Sequence, residues 1–103
     1  MTDLNIAETI YNQLGAGRFL TMTGAKSLVA IDDGLQFKIP QAKQGINGVR
    51  IELNSHDQYD ITYHKIRETK FEIQITEQNK QVDIPAENLA QSFENATGLY
   101  LTF

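Results

Sequence analysis

Four successive segments alternate apolar and polar residues with a period of two, and no other feature of the chain limits its fold so strongly. In "LQFKIP", Leu35, Phe37 and Ile39 alternate with Gln36 and Lys38. In "VRIEL", Val49, Ile51 and Leu53 alternate with Arg50 and Glu52. In "YDITYH", Tyr59, Ile61 and Tyr63 alternate with Asp60, Thr62 and His64. In "FEIQIT", Phe71, Ile73 and Ile75 alternate with Glu72, Gln74 and Thr76. Side chains of a strand point to opposite faces in turn, so each segment buries one face and wets the other. Parallel strands, covered on both sides, would be more uniformly apolar, so the pattern predicts an antiparallel sheet.

The connections agree. Asp33-Gly34 offers the positive backbone angles of a tight hairpin. "NSHDQ", residues 54–58, is a polar link, and "EQNK", residues 77–80, can turn the chain into a short strand over 82–84. Ahead of the sheet, Ala7, Ile10, Tyr11 and Leu14 form one helical stripe. Asn5 and Glu8 have capping-box spacing, and Gly15 and Gly17 end the helix. A second helix is predicted from Pro85, with Leu89, Phe93 and Ala96 as its stripe and Gly98 as its cap. The closing "LYLTF" alternates again and is expected to dock on the domain, in cis or against a second subunit. Residues 40–49 form the longest irregular stretch. The expected architecture is α+β: a two-layer sandwich in which an antiparallel β-meander of five to six strands carries the N-terminal and C-terminal helices on one face. Residues 1–103 read as a single domain.

"TMTGAKS", residues 21–27, looks like the end of a phosphate-binding loop. That loop needs G-x-x-x-x-G-K-[ST] leading from a strand into a helix. Here Ala25 separates Gly24 from Lys26, and Gly17 lies seven residues before Gly24 where the motif requires five. The adjoining residues 27–31 are apolar and β-prone, unlike the start of a helix. The reading preferred is a turn joining a strand over 18–23 to one over 27–31, with a nonstandard anion site at Gly24 and Lys26 as the alternative.

Other chemistry finds little support. With no cysteine, a disulfide scaffold, thiolate metal site and cysteine nucleophile are excluded. His56 and His64 are the only histidines; one is in a turn and the other on a wet strand face, whereas zinc needs three or four converging ligands. Asp32-Asp33 sits in a turn, where aspartates serve the backbone. No G-x-S-x-G elbow singles out a serine. The reading is therefore of no enzyme, with no catalytic residue, no cofactor and no metal.

The longest apolar run, residues 28–31, is too short to span a bilayer, and "MTDLNIAETI" lacks the basic start and apolar run of a secretory leader. A cytoplasmic protein without a membrane partner is expected. Charge is uneven along the chain. Arg18, Lys26, Lys38, Lys43 and Arg50 face only Asp32 and Asp33 within residues 18–50, while residues 51–103 carry four basic and nine acidic groups. Lys38 and Arg50 fall on polar strand faces with Lys43 in the loop between, so these three, with Lys26, are the candidate binding residues. Phe37, Tyr59 and Tyr63 occupy core positions and leave no stacking platform of the kind nucleic-acid binders use.

Taken in order, the N-terminal helix running into "RFLTMTGAKSLVA", then "LQFKIP", "NGVRIEL", "DQYDITYHKIR" and "FENATGLYLTF", resembles a group of small uncharacterised proteins encoded by bacteriophages and integrated mobile elements. The resemblance spans nearly the whole chain, and "MTGAK" and "TGLY" are its most distinctive pieces. It implies a phage or mobile-element setting and no particular mechanism. The leading expectation is a non-catalytic accessory protein that binds another macromolecule, a protein in preference to nucleic acid because the net charge is -4. Nucleic acid on the basic residues, and a structural homo-oligomer, for example a homodimer, built through a sheet edge, are the alternatives.

Overall fold

The computed structural model describes residues 4–40 and 42–99. Five strands form one open antiparallel sheet in the order β1-β2-β3-β4-β5, and helices from both ends of the chain pack on one of its faces. The α+β meander expected from the alternation is the fold observed.

Helix α1 (Leu4–Leu14) buries Ala7, Ile10 and Leu14, the stripe anticipated. It begins one residue ahead of Asn5, so Asn5 lies inside the helix and is not its cap. The Asn5 carbonyl accepts a bond from Thr9 Oγ1 at 2.8 Å.

The next segment corrects the sequence reading. Residues Gly17–Thr23 form a second helix, α2, and not a strand. Phe19 and Thr23, four apart, turn to the same buried side, which a helix allows and period two does not. The two threonines are accommodated because Thr21 and Thr23 bond back to the carbonyls of Gly17 and Phe19 at 3.0 and 2.7 Å. "TGAKS" is then the exit of α2. Gly24, at φ 71°, is a left-handed cap whose N–H donates to the Leu20 carbonyl. The order is helix into strand, the reverse of a phosphate loop.

Strand β1 (Lys26–Ile31) turns at Asp32-Asp33 into β2 (Gly34–Lys38), with Ile31 opposite Gly34. Neither Asp33 nor Gly34 has the positive φ expected of it. Glycine is required at 34 for another reason: a Cβ there would run into the Ile51 carbonyl of the neighbouring strand. Strands β3 (Gly48–Leu53) and β4 (Tyr59–Glu68) come next, joined through the polar link predicted. Leu35, Ile51 and Ile61 form one cross-strand row, and Phe37, Val49 and Tyr63 the next; all six are buried under the helices.

Strand β5 (Ile73–Ile84) is a single strand of 12 residues. "EQNK" makes no turn; an unpaired residue, Gln78, is absorbed as a bulge between the pairs Tyr63↔Asn79 and His64↔Glu77. After Pro85 the chain makes a 3-10 turn (Ala86–Asn88) and enters α3 (Leu89–Thr97), which starts a few residues later than Pro85 suggested. Leu89, Phe93 and Ala96 are buried, Gly98 caps the helix, and Leu99 packs partly against the core. Residues 100–103, which the sequence reading docks on the domain, lie outside the described residues.

The rings of Phe19, Phe37 and Phe93 tie α2, β2 and α3 together, with centroids 5.0, 6.0 and 6.1 Å apart. Tyr63 beside them is fully buried, and its hydroxyl donates to Gln81 Oε1 at 2.9 Å. Burial also raises its pKa well above the usual tyrosine value. Among the described residues, no helix is long and apolar enough to cross a membrane.

Candidate interaction surface

The sheet's second face carries none of the described helices. Its side chains follow from the register: Gln36, Arg50 and Thr62 lie in one row, and Lys26, Lys38, Gly48 and His64 in the next. Three of the four candidate residues, Lys26, Lys38 and Arg50, therefore meet on this outer face. Lys43 does not join them. It sits at the start of a 3-10 turn (Lys43–Gly45), with its Nζ 3.5 Å from the Asn95 carbonyl of α3, on the helix-bearing side.

The outer-face cations are partly neutralised by their own chain. Lys38 Nζ lies 3.7 Å from Glu68 Oε1. Arg50 Nε lies 3.2 Å from Glu52 Oε1 without the alignment of a hydrogen bond. Such exposed pairs contribute about 0–1 kcal/mol each to stability, but they blunt the field a phosphate backbone would meet. His64 is half-buried in the same row. His56, by contrast, stands at the β3–β4 turn, its Nδ1 3.3 Å from Asp83 Oδ1. Among the described residues, no three His, Asp or Glu side chains gather as a metal would require.

The apolar content of this face was not anticipated. Beyond His64 no β3 residue pairs with β4, and β4 and β5 continue as a two-stranded arm closed by the turn over 69–72, held at its base by the Asn47 side chain, which bonds the N–H and carbonyl of Ile66 at 2.7 and 2.9 Å. Ile66 and Ile75 are cross-strand partners on the arm, and Ile73 lies further along the same side. Phe71, Ile73 and Ile75 were expected in the core; instead they are 91%, 65% and 62% exposed. The arm extends past the helices' reach; pairing with Ile66 puts Ile75, and in the same phase Ile73, on the outer face, while Phe71 stands in the turn at its tip. Val82, back along β5, is 55% exposed. A groove of about 290 Å³ runs from the basic row to the arm, between Lys38, Arg50 and His64 on one side and Ile66 and Ile75 on the other. Gly48 leaves room for it, since a Cβ there would approach Ile66 Cδ1 to 2.8 Å.

One sequence signal marks the change of face. Tyr59, Ile61 and Tyr63 point inward, but the next two positions of that phase are Lys65 and Arg67, and the apolar residue Ile66 is out of phase. No protein family, curated protein or solved structure matches this chain.

Proposed function

We propose that this is a non-catalytic cytoplasmic accessory protein, of phage or mobile-element origin, that binds another protein through the outer face of its sheet. The observation that carries the reading is the outer-face row of half-buried Ile66 and exposed Ile75 and Ile73, with exposed Phe71 beyond it, on an arm that projects past the helices. Monomeric proteins rarely leave contiguous apolar side chains of this size in water, and such patches commonly mark interaction sites. Charged groups at the rim of the groove would orient a partner, and aromatic and large aliphatic anchors would supply the affinity. The mobile-element setting is supported by the sequence resemblance alone.

A protein partner is favoured over nucleic acid by the ion pairs of Lys38 and Arg50, and by the separation of Lys43 from them. Phe37, Tyr59 and Tyr63 are buried and offer no stacking surface, which among the described residues leaves Phe71, away from the basic row, as the exposed ring. The test is affinity capture from a host extract with the wild-type chain and with a Phe71→Ser/Ile73→Ser variant, followed by mass spectrometry. A protein held by the wild type and lost by the variant is the expected result. Retention of nucleic acid by both, weakening as salt rises, would replace the reading.

A further inference from the structure

We propose that two copies of this chain pair along β5, antiparallel about a two-fold axis passing between Gln78 and Asn79, so that their sheets join into one. The two edges of the sheet differ in a way that points to β5. Strand β1 is short, is irregular between Lys26 and Val29, and holds Ser27 at φ 57°. Irregularities and lysines of this kind protect an edge from pairing. Strand β5 has irregularities of its own, the bulge at Gln78 and a register shift near Asp83 at φ 53°, and it carries Lys80, but it is twice as long, 12 residues against 6. Among the described residues, no strand lies outside it. Its outer edge is therefore unpaired by any described strand, while the Lys80 N–H already donates to Asn79 Oδ1 at 2.8 Å and would exchange that bond for one to the partner.

The register follows from the bulge. Two regular antiparallel copies of one strand can pair only residues whose numbers are both odd or both even, because opposed side chains must share a face. The bulge at Gln78 reverses that parity within β5. Glu77 is opposite His64, and Lys80 is opposite Thr62, both on the outer face, although 77 is odd and 80 even. By the same alternation Ile75 and Val82 lie on the outer face, and Thr76 and Gln81 on the helix-bearing face. An axis between Gln78 and Asn79 sets the two bulges against each other. It opposes Glu77 to the partner's Lys80, Ile75 to the partner's Val82, and Thr76 to the partner's Gln81. Over residues 75–82 the opposed pairs outside the bulge then share a face, the central charges are opposite, and two exposed apolar residues meet; a second irregularity between Val82 and Ile84 ends the matched stretch, because Ile84 pairs with the inward Tyr59. Directly opposed charge pairs and β-branched pairs are the favourable units of sheet pairing. The bulge itself is tethered, because Gln78 Nε2 donates to the Gln44 carbonyl at 3.0 Å. Joined this way, the outer rows run Ile66, Ile75 and then the partner's Val82.

The experiment is a charge exchange read by light scattering on a sizing column. The wild type should elute with twice the chain mass of 11.6 kDa. Glu77→Lys and Lys80→Glu alone each oppose like charges at both symmetry-related positions, and should weaken the dimer by roughly tenfold or more. An equimolar mixture of the two variants should recover a dimer, because each Lys then faces a Glu. Both sites are exposed, so the circular dichroism of each variant should match the wild type, and so should its thermal midpoint at concentrations low enough that all are monomeric. As a second readout, an Ile75→Cys chain mixed with a Val82→Cys chain should give a mixed disulfide dimer, since the protein has no other cysteine. A wild type that stays monomeric at hundreds of micromolar would overturn the proposal. So would a dimer indifferent to both charge variants, or one in which the cysteine pair fails to cross-link. A dimer broken by deleting residues 100–103 but untouched by the charge variants would locate the contact elsewhere and also overturn it.

Discussion

Replacing Phe37 by Ala tests which face of the sheet is the core. Phe37 is 1% exposed, and its ring centroid lies 5.0 Å from Phe19 and 6.1 Å from Phe93. Returning its ring to water forfeits about 1.5–3 kcal/mol of burial. Its edge-on contact with Phe19 contributes roughly 0.5–1.5 kcal/mol more. Because α2 and α3 are anchored on either side, the hole can close only partly, and a total of about 3–5 kcal/mol is expected. Ile73→Ala is the matched comparison. "FEIQIT" alternates as cleanly as "LQFKIP", yet Ile73 stands 65% exposed on the arm, so its truncation should cost about 0.5 kcal/mol. Urea titration at 25 °C, with midpoint and slope fitted for both variants, reads the difference directly. A loss below about 1 kcal/mol for Phe37→Ala would refute the packing of the ring cluster. A loss for Ile73→Ala as large as that for Phe37→Ala would put the arm in the core and remove the interaction surface.

Tyr63 predicts an alkaline limit. Its folded pKa is raised above 10 by burial, so its contribution is complete below that pH and is lost above it, where only the unfolded chain ionises. Stability should fall by about 1.4 kcal/mol per pH unit above 10 from this group, with Tyr59 acting in the same direction. Tyr63→Phe should remove the Tyr63 share of that slope in alkaline urea titrations, and an identical slope would contradict it. Gly34→Ala places a methyl group against the Ile51 carbonyl and should unfold or gravely weaken the protein in thermal melts, while the exposed Gln36→Ala should stay within about 0.5 kcal/mol. Filter binding to DNA or RNA should show little retention at physiological salt. Tight retention that a Lys26→Ala/Lys38→Ala/Arg50→Ala variant abolishes would favour the nucleic-acid alternative.

Most of the layer structure was legible because period two and the α1 and α3 stripes each reflect one burial decision repeated several times. Leu35 to Ile39, Val49 to Leu53 and Tyr59 to Tyr63 all fell on the face expected of them. Two misreadings have physical causes. In "RFLTMT" the threonines favour a strand on propensity, but packing Phe19 against Phe37 and Phe93 outweighs that weak preference. In the arm, alternation shows that two faces differ but not which one meets the helices, and that depends on register against Ile66. The same limit hid β5: residues 77–80 are polar as a turn would be, because an edge strand outside the core needs no apolar side chains there. Of the basic residues, strand phase correctly joined Lys38 with Arg50 on a polar face. Lys43 lies in a connection whose path strand phase does not set.

The most direct measurement is calorimetric titration of a purified captured partner into the wild-type protein and into Phe71→Ser/Ile73→Ser, with urea midpoints recorded for both. If the arm is an interaction surface independent of the core, the midpoints will agree and the variant will bind at least roughly tenfold more weakly, as loss of anchor residues at an interface requires. Equal affinities with equal midpoints would show that the exposed apolar arm is not where a partner docks, and would contradict the proposal at its centre.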